Sequence, residues 1–218
     1  MCGIAGIYTP GRPVTLEGAM PMLQALSHRG PDGQGHFVEQ DLALLHARLS
    51  IIDLEEGKQP LFSQSGQLAL VANGEIYNHV ELRREVEARG ATFSTRSDCE
   101  VILPFAERES SAFPDQFRGM FAFALFDRLS RRLTLVRDRF GIKPLYYMEV
   151  PGGIAFAVDE AAVQRFMQVN FASGDQTAFA RVKRVPPGGE LVLDANGRMS
   201  LGQWWNLEEE VAVTCRST

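Results

Sequence analysis

The stretch MCGIAGIY at residues 1–8 decides how the rest of the sequence is interpreted. Residues 3–8 are short, apolar and partly β-branched, and the turn-forming Pro10 and Gly11 follow them. Such a run predicts a buried strand. Cys2 stands directly before this strand, so we expect a thiol held at the end of a rigid element.

Removal of Met1 would leave Cys2 with a nucleophilic sulfur and a free α-amine on the same residue. The α-amine has an ordinary pKa of about 7.8 and the thiol one of about 8.5, so the amine can accept the thiol proton near neutral pH. The pattern predicts a nucleophile that carries its own base. From this residue alone, a buried and inert strand cysteine is the more common interpretation.

Turn and capping signals divide the remaining chain into helices and short strands. Asn78 with Glu81, and Ser97 with Glu100, have the spacing of capping boxes. Helices are predicted over 15–28, over 79–89, after residue 97 and over about 159–168. Strands are predicted over 68–72, in an antiparallel meander formed by MFAFALFD, RLTLVRD, PLYYMEV and GIAFAV, and near 190–194 and 199–205.

The composition limits the class of protein. The 218 residues contain 22 Lys plus Arg and 27 Asp plus Glu, a net charge of −5 that offers no positive field to nucleic acid. No apolar run reaches the length of a membrane span, so neither nucleic acid nor a membrane is an expected partner. Cys2, Cys99 and Cys215 form no CxxC pair, and no signal peptide is visible, which favours a reducing, cytoplasmic location.

Five further residues are candidates for a binding or catalytic site. The amide of Asn73 and the backbone N–H of Gly74 could form an oxyanion hole, although Asn-Gly is also typical of a simple turn. Arg48 lies in an apolar stretch and fits either a structural ion pair or a substrate carboxylate. Glu75 and Asp98 could hold a substrate ammonium group, with helix capping as the alternative for Asp98.

The spacing of residues predicts neither a metal site nor a nucleotide site. The four histidines show neither H-x-x-x-H nor H-E-x-x-H spacing, and no cysteine completes a metal pattern. Neither a phosphate-binding G-x-x-x-x-G-K-[ST] loop nor G-x-G-x-x-G is present. We therefore expect no metal site.

Several segments together resemble class II glutamine amidotransferase domains, and most closely the N-terminal half of glutamine-dependent asparagine synthetases. The resemblance extends in order to about residue 207. The matching strings are MCGIAG (1–6), HRGPDG (28–33), RLSIIDL (48–54), QPL (59–61), NGEIYN (73–78), SDCEVI (97–102), GMFAFALFD (119–127), RDRFGIKPLYY (137–147) and VPPG (185–188).

The resemblance implies an α+β fold of the N-terminal nucleophile type, a four-layer αββα sandwich of two antiparallel sheets. The implied reaction is hydrolysis of the L-glutamine side-chain amide, without a cofactor. The implied roles are nucleophile for Cys2, oxyanion hole for Asn73 and Gly74, and glutamine binding for Arg48, Ile51, Ile52, Asn73, Gly74, Glu75 and Asp98.

The sequence also departs from that family. We expect a domain over residues 2–207 and a frayed tail over 208–218, whereas the ATP-dependent synthetase half, with its S-G-G-x-D-S loop and its ATP and Mg, is absent. The chain would then be a fragment, or a subunit that passes ammonia to a separate synthetase. FAVDEAAV at 156–163 differs from the F-A-S-E of relatives, and the charged residues of 137–143 could face a partner or form a solvated turn.

Two other functions remain open at this point. The fold could serve as a non-catalytic glutamine-binding or regulatory module. It could also be the glutaminase half of another class II amidotransferase, such as one acting on a sugar phosphate.

Overall fold

The computed structural model describes residues 2–49, 58–108, 113–159 and 181–216. The strands among these residues form two six-stranded antiparallel sheets. In spatial order the first sheet contains β10 (Lys183–Arg184), β8 (Tyr146–Val150), β9 (Gly153–Ala157), β1 (Gly3–Tyr8), β3 (Leu42–Arg48) and β2 (Gly33–Glu39). The second contains β12 (Met199–Gln203), β11 (Gly189–Leu193), β7 (Arg132–Arg137), β6 (Gly119–Asp127), β5 (Leu68–Ile76) and β4 (Leu61–Phe62).

Within the described residues, four α-helices and two short 3-10 turns accompany the sheets. The helices are α1 (Leu16–Ala25), α2 (His79–Glu87), α3 (Ile102–Arg108) and α4 (Leu207–Arg216), and the 3-10 turns are Asp98–Val101 and Phe113–Gln116. The α1 helix packs on β1 and β3. On the other side, the first 3-10 turn and α3 contact β5, and α2 contacts the first 3-10 turn.

The alternation of side chains along β5 shows why the sheets stack. Ala69 and Val71 belong to the core that contains β1, β3 and α1, whereas Leu68 and Leu70 belong to the core shared with α2 and α3. Because side chains alternate along a strand, the second sheet has an apolar layer on each face. The layers therefore run helix, sheet, sheet, helix, which confirms the α+β fold of two antiparallel sheets.

The strand predictions are confirmed, with one correction to the topology. The strands β6 and β7 pair in the second sheet, whereas β8 and β9 pair in the first. They are therefore two hairpins in different layers rather than one meander, because the segment after β7 crosses between the sheets. The β2–β3 hairpin was not predicted, and the helix expected over 159–168 lies outside the described residues beyond Asp159.

Both predicted capping boxes are wrong, since neither Asn78 nor Ser97 caps its helix through a side chain. The Asn78 amide bonds instead to backbone groups of segment 116–118, at 2.9 and 3.0 Å. The Glu100 carboxylate accepts from the backbone N–H groups of residues 94–95 at 2.7 and 2.8 Å. Tertiary hydrogen bonds to loops have replaced the local ones.

Residues 207–216 form the α4 helix rather than the frayed tail that we expected. Leu207 and Val211 are 52% exposed. Trp204, just before the helix, donates its indole N–H to the Arg137 carbonyl at 3.2 Å. No helix among the described residues is long and apolar enough to cross a membrane.

Candidate active site

The Cys2 thiol lies where β1 begins and β3 ends. Gly3 pairs with Ala47 in the antiparallel register of these strands, which brings Cys2 next to Leu49. The Cys2 Sγ donates to the Leu49 carbonyl at 3.5 Å and accepts from the Leu49 N–H at 3.4 Å. Arg29 donates to the Cys2 carbonyl at 3.4 Å. Both the thiol and the backbone of this residue are therefore held in place.

Gly74 lies inside β5, so the turn interpretation of Asn73-Gly74 is wrong. The strand continues to Ile76 and pairs with β6 along its whole length. Gly74 has φ of +156°, and a Cβ atom there would lie 2.2 Å from the Met120 carbonyl oxygen. Because β6 passes so close, only glycine fits at this position.

The side-chain amide of Asn73 contains a buried hydrogen-bond donor without a partner. Its side chain is 2% exposed, and its Nδ2 atom is buried with no hydrogen-bond partner. Unsatisfied buried donors are rare in folded proteins because each costs about 1–3 kcal/mol. The atom therefore points to an acceptor that completes the site.

The candidate side chains for binding an amino acid lie around the same cavity. Asp98 is 5% exposed and accepts from the Ile76 N–H at 2.7 Å, so part of its carboxylate stabilises the end of β5. Arg48 is 9% exposed and Glu75 is half-buried. A cavity of about 80 Å³ is lined by Cys2, Arg48, Asn73, Gly74, Glu75 and Asp98. Ile51 and Ile52 lie outside the described residues.

Other residues of this cavity escaped the sequence analysis. Gln59 exchanges two hydrogen bonds with the Ala72 backbone, at 2.6 and 3.1 Å, and so holds the loop before β4 against β5. His46, Cys99 and Lys143 also line the cavity. His46 could have been found, because it lies two residues before Arg48 on the same face of β3. Gln59 is the first residue of the matching string QPL, but that match assigned it no role.

Two titratable groups of the cavity are neutral at pH 7. Burial, assisted by the charge of Arg48, lowers the pKa of His46 to about 4. Burial, with the nearby Asp98 carboxylate, raises the pKa of the Cys99 thiol well above its ordinary value. Cys99 therefore stays protonated and is a poor nucleophile.

The loop of residues 137–143 has a structural role that the sequence did not indicate. Arg137 is 5% exposed and donates to the carbonyls of Gly141, Lys143 and Val185 at 2.6–2.8 Å. Asp138 is fully buried and accepts from the Lys143 N–H at 2.9 Å. These side chains build the loop, so they neither face a partner nor form a solvated turn.

The exposed residues of that loop are apolar. Phe140 is 64% and Ile142 56% exposed, whereas Arg139 donates to the carbonyls of Phe117 and Asp115.

Among residues 2–49, 58–108, 113–159 and 181–216, no cluster of three His, Cys, Asp or Glu side chains could hold a metal ion.

Comparisons with known proteins agree with this architecture. The fold resembles that of the Bacillus subtilis glutamine phosphoribosylpyrophosphate amidotransferase, with a TM-score of 0.72 at 23% identity, covering 94% of this chain and 49% of that one. Two antiparallel sheets lie between helices in this chain, and Cys2 directly precedes an inner strand of the first sheet. Residues 1–205 match the glutamine amidotransferase domain model, and the chain belongs to that family.

The sequence relatives show which members of the family the chain resembles. Asparagine synthetase [glutamine-hydrolyzing] 1 of Bacillus subtilis is 37% identical over 216 residues, which cover 90% of this chain and 34% of the relative. Asparagine synthetase B of Escherichia coli is 41% identical over 148 residues, which cover 67% of this chain and 26% of that protein. The chain thus spans about a third of the length of such relatives.

Proposed function

We propose that residues 2–207 form a glutaminase domain that hydrolyses the side-chain amide of L-glutamine to glutamate and ammonia. One observation carries the proposal: Cys2 lines the same cavity as Asn73, whose Nδ2 atom has no hydrogen-bond partner. A nucleophile beside a preorganised donor is the arrangement that acyl transfer requires.

The steps follow from these groups. The Cys2 α-amine takes the thiol proton, and the sulfur attacks the amide carbon of glutamine. Asn73 Nδ2 and the Gly74 N–H hold the oxyanion that develops. The α-amine then gives its proton to the leaving nitrogen, ammonia departs, and water hydrolyses the thioester to glutamate.

The charged groups of the cavity would recognise the free amino acid. Arg48 would bind the α-carboxylate of glutamine, and Glu75 and Asp98 its α-ammonium, with Ile51 and Ile52 completing the binding set. A glutamine inside a peptide has neither charged end, so it would not offer the carboxylate and ammonium groups that these side chains would bind. The domain should therefore act on free glutamine and not on proteins.

The ammonia requires an acceptor outside the described residues. Relatives named asparagine synthetase are about three times as long as this chain, and we propose that an ATP-dependent synthetase domain or subunit of that type receives the ammonia. ATP and Mg would bind there, whereas the hydrolytic steps above need no cofactor.

Covalent labelling tests the proposal. The purified chain is incubated with a diazo-ketone analogue of glutamine, and its intact mass is measured before and after. We expect a chain without Met1 that gains one adduct, mapped to Cys2, with excess glutamine protecting it. The Cys2→Ala variant should take no label and Cys99→Ala should be labelled normally.

Two outcomes would contradict the proposal. Labelling at Cys99 rather than Cys2 would place the nucleophile elsewhere. A chain that keeps Met1, takes no label and turns over no glutamine would favour a non-catalytic glutamine-binding module.

A further inference from the structure

His46 lies in the wall of the cavity, and none of the steps above uses it. Its side chain is 1% exposed. On β3, His46 pairs with Ile4 of β1. This pair lies one residue further along the strands from Cys2 than the pair of Gly3 with Ala47. Because side chains alternate along a strand, His46 and Arg48 project from the same face. His46 therefore lies deeper than Arg48 in the same wall.

The Nε2 atom of His46 is buried without a hydrogen-bond partner, as is Nδ2 of Asn73. Of the buried side-chain atoms without partners in the described part of the chain, these two belong to residues that line this cavity. Buried polar atoms without a hydrogen-bond partner are rare in folded proteins. Two such atoms in one cavity point to a ligand that has two polar atoms at its buried end.

The protonation state of His46 makes a hydrogen-bond acceptor available on its ring. Burial and the charge of Arg48 lower the pKa of His46 to about 4, so its ring is neutral at pH 7. A neutral imidazole has one nitrogen that accepts a hydrogen bond and one that donates. The ring can therefore accept from an N–H group, which no carboxylate oxygen supplies.

The two unpartnered atoms come from opposite walls. Asn73 is on β5 in the second sheet and His46 is on β3 in the first. The oxygen and the nitrogen of a primary amide lie on different sides of its carbon. With the oxygen held by Asn73 and Gly74 of the second sheet, an –NH₂ group turned away from these donors can reach the first sheet, where His46 lies.

We propose that His46 Nε2 accepts a hydrogen bond from the –NH₂ group of the bound glutamine and so selects the amide over the carboxylate of glutamate. This inference rests on the proposed glutaminase function. In bound glutamate an oxygen takes the place of the –NH₂ group, and its lone pairs would face the lone pair of Nε2. The product is therefore held less tightly than the substrate.

Ligand binding in a non-turning-over background tests this selection. In the Cys2→Ala variant, calorimetry gives the dissociation constants of L-glutamine and L-glutamate. We expect an added His46→Leu substitution to weaken glutamine binding about tenfold and glutamate binding less than about threefold. His46→Gln, whose Oε1 can accept at the same position, should restore glutamine binding to within about threefold. His36→Leu, at an exposed position on β2, is the matched control and should change neither constant.

The outcomes separate selection from support of the fold. Equal weakening for both ligands, an unchanged preference in His46→Leu, or a glutamine loss that His46→Gln does not restore would overturn the inference. If His46→Leu does not fold, His46→Asn carries the same expected loss, because its amide is too short to reach the position of Nε2. Absence of glutamine binding in Cys2→Ala alone would contradict the proposed function itself, before any change at residue 46.

Discussion

At the scale of single residues, burial changes what Asn73 and His46 can do. Asn73 is enclosed between strands with its Nδ2 unpartnered, so the donor is fixed in place before substrate arrives. Preorganised donors of this kind stabilise an oxyanion without the reorganisation that water would need. The same enclosure keeps His46 neutral. Neither property belongs to the amino acid alone.

Asn73→Ala should lower kcat for glutamine hydrolysis about 10²- to 10³-fold, because one of the two proposed oxyanion donors is lost. The free energy of unfolding should not fall, since the substitution removes a buried donor that has no partner in the protein. Steady-state ammonia release and a thermal melt measure the two effects. Asn196→Ala, at an exposed turn, should leave both unchanged. An Asn73→Ala variant that keeps the parent kcat would show that the amide is not an oxyanion donor.

His46 should make the protein less stable in acid. The pKa of the ring is about 4 in the folded chain against 6.5 normally, so between these values the unfolded chain binds more protons. The free energy of unfolding therefore falls as the pH drops through this window, by about 3 kcal/mol in full.

Urea unfolding at pH 7 and pH 4.5 checks this dependence on pH. In His46→Gln the drop in unfolding free energy between the two pH values should be smaller than in the parent. His36→Gln, on an exposed strand position, should retain the parent's drop. An identical drop in the parent and in His46→Gln would mean that the buried ring is not the group that titrates.

At the scale of elements, β5 shows how a neighbouring strand overrides a local signal. Asn73-Gly74 is a turn sequence, yet it continues in an extended strand because β6 pairs with every residue of β5. Hydrogen bonds of a central strand outweigh the weak preference of one dipeptide. The two predicted capping boxes are absent for a related reason, because Asn78 and Glu100 form hydrogen bonds with the backbone of nearby loops instead. Sequence patterns therefore located these elements correctly but misjudged their local geometry.

Gly74→Ala should destabilise the protein, because the new Cβ would lie 2.2 Å from the Met120 carbonyl oxygen and backbone must move. We expect a loss of about 1–3 kcal/mol in unfolding free energy, measured with urea, and a lower kcat as the Gly74 N–H shifts. Gly202→Ala in β12 is the control, since nothing lies within 4 Å of its Cβ position. Equal stability of the two variants would refute the close approach of β5 and β6.

At the scale of the whole molecule, the sandwich brings together residues that are far apart in sequence. Cys2, Arg48, Asn73 and Asp98 come from the first sheet, the second sheet and the 3-10 turn beside it. The stack of layers sets their separation, so the site forms only when both cores have formed. The α4 helix, in contrast, exposes Leu207 and Val211.

Truncation should separate the domain from its C-terminal helix. A chain that ends at residue 207 should keep its melting temperature within about 2 °C of the parent and retain glutamine turnover, because it preserves the Trp204 hydrogen bond to Arg137. A chain that ends at residue 203 loses that bond and the packing of Trp204 on Phe121, and should melt several degrees lower. Equal destabilisation of both would place the domain boundary beyond residue 207.

The sequence by itself determined the strand at residues 3–8, most of the other strands, the helices α1 and α2, and the candidate residues from Cys2 to Asp98. These follow from short-range patterns of apolar residues and from motifs that stay together along the chain. Only the tertiary structure decided that Asn73-Gly74 is strand, that Arg137 and Asp138 are buried, and that His46 is a neutral part of the site. Each of these depends on which strand or loop packs against the residue, and that packing joins segments that are distant in sequence.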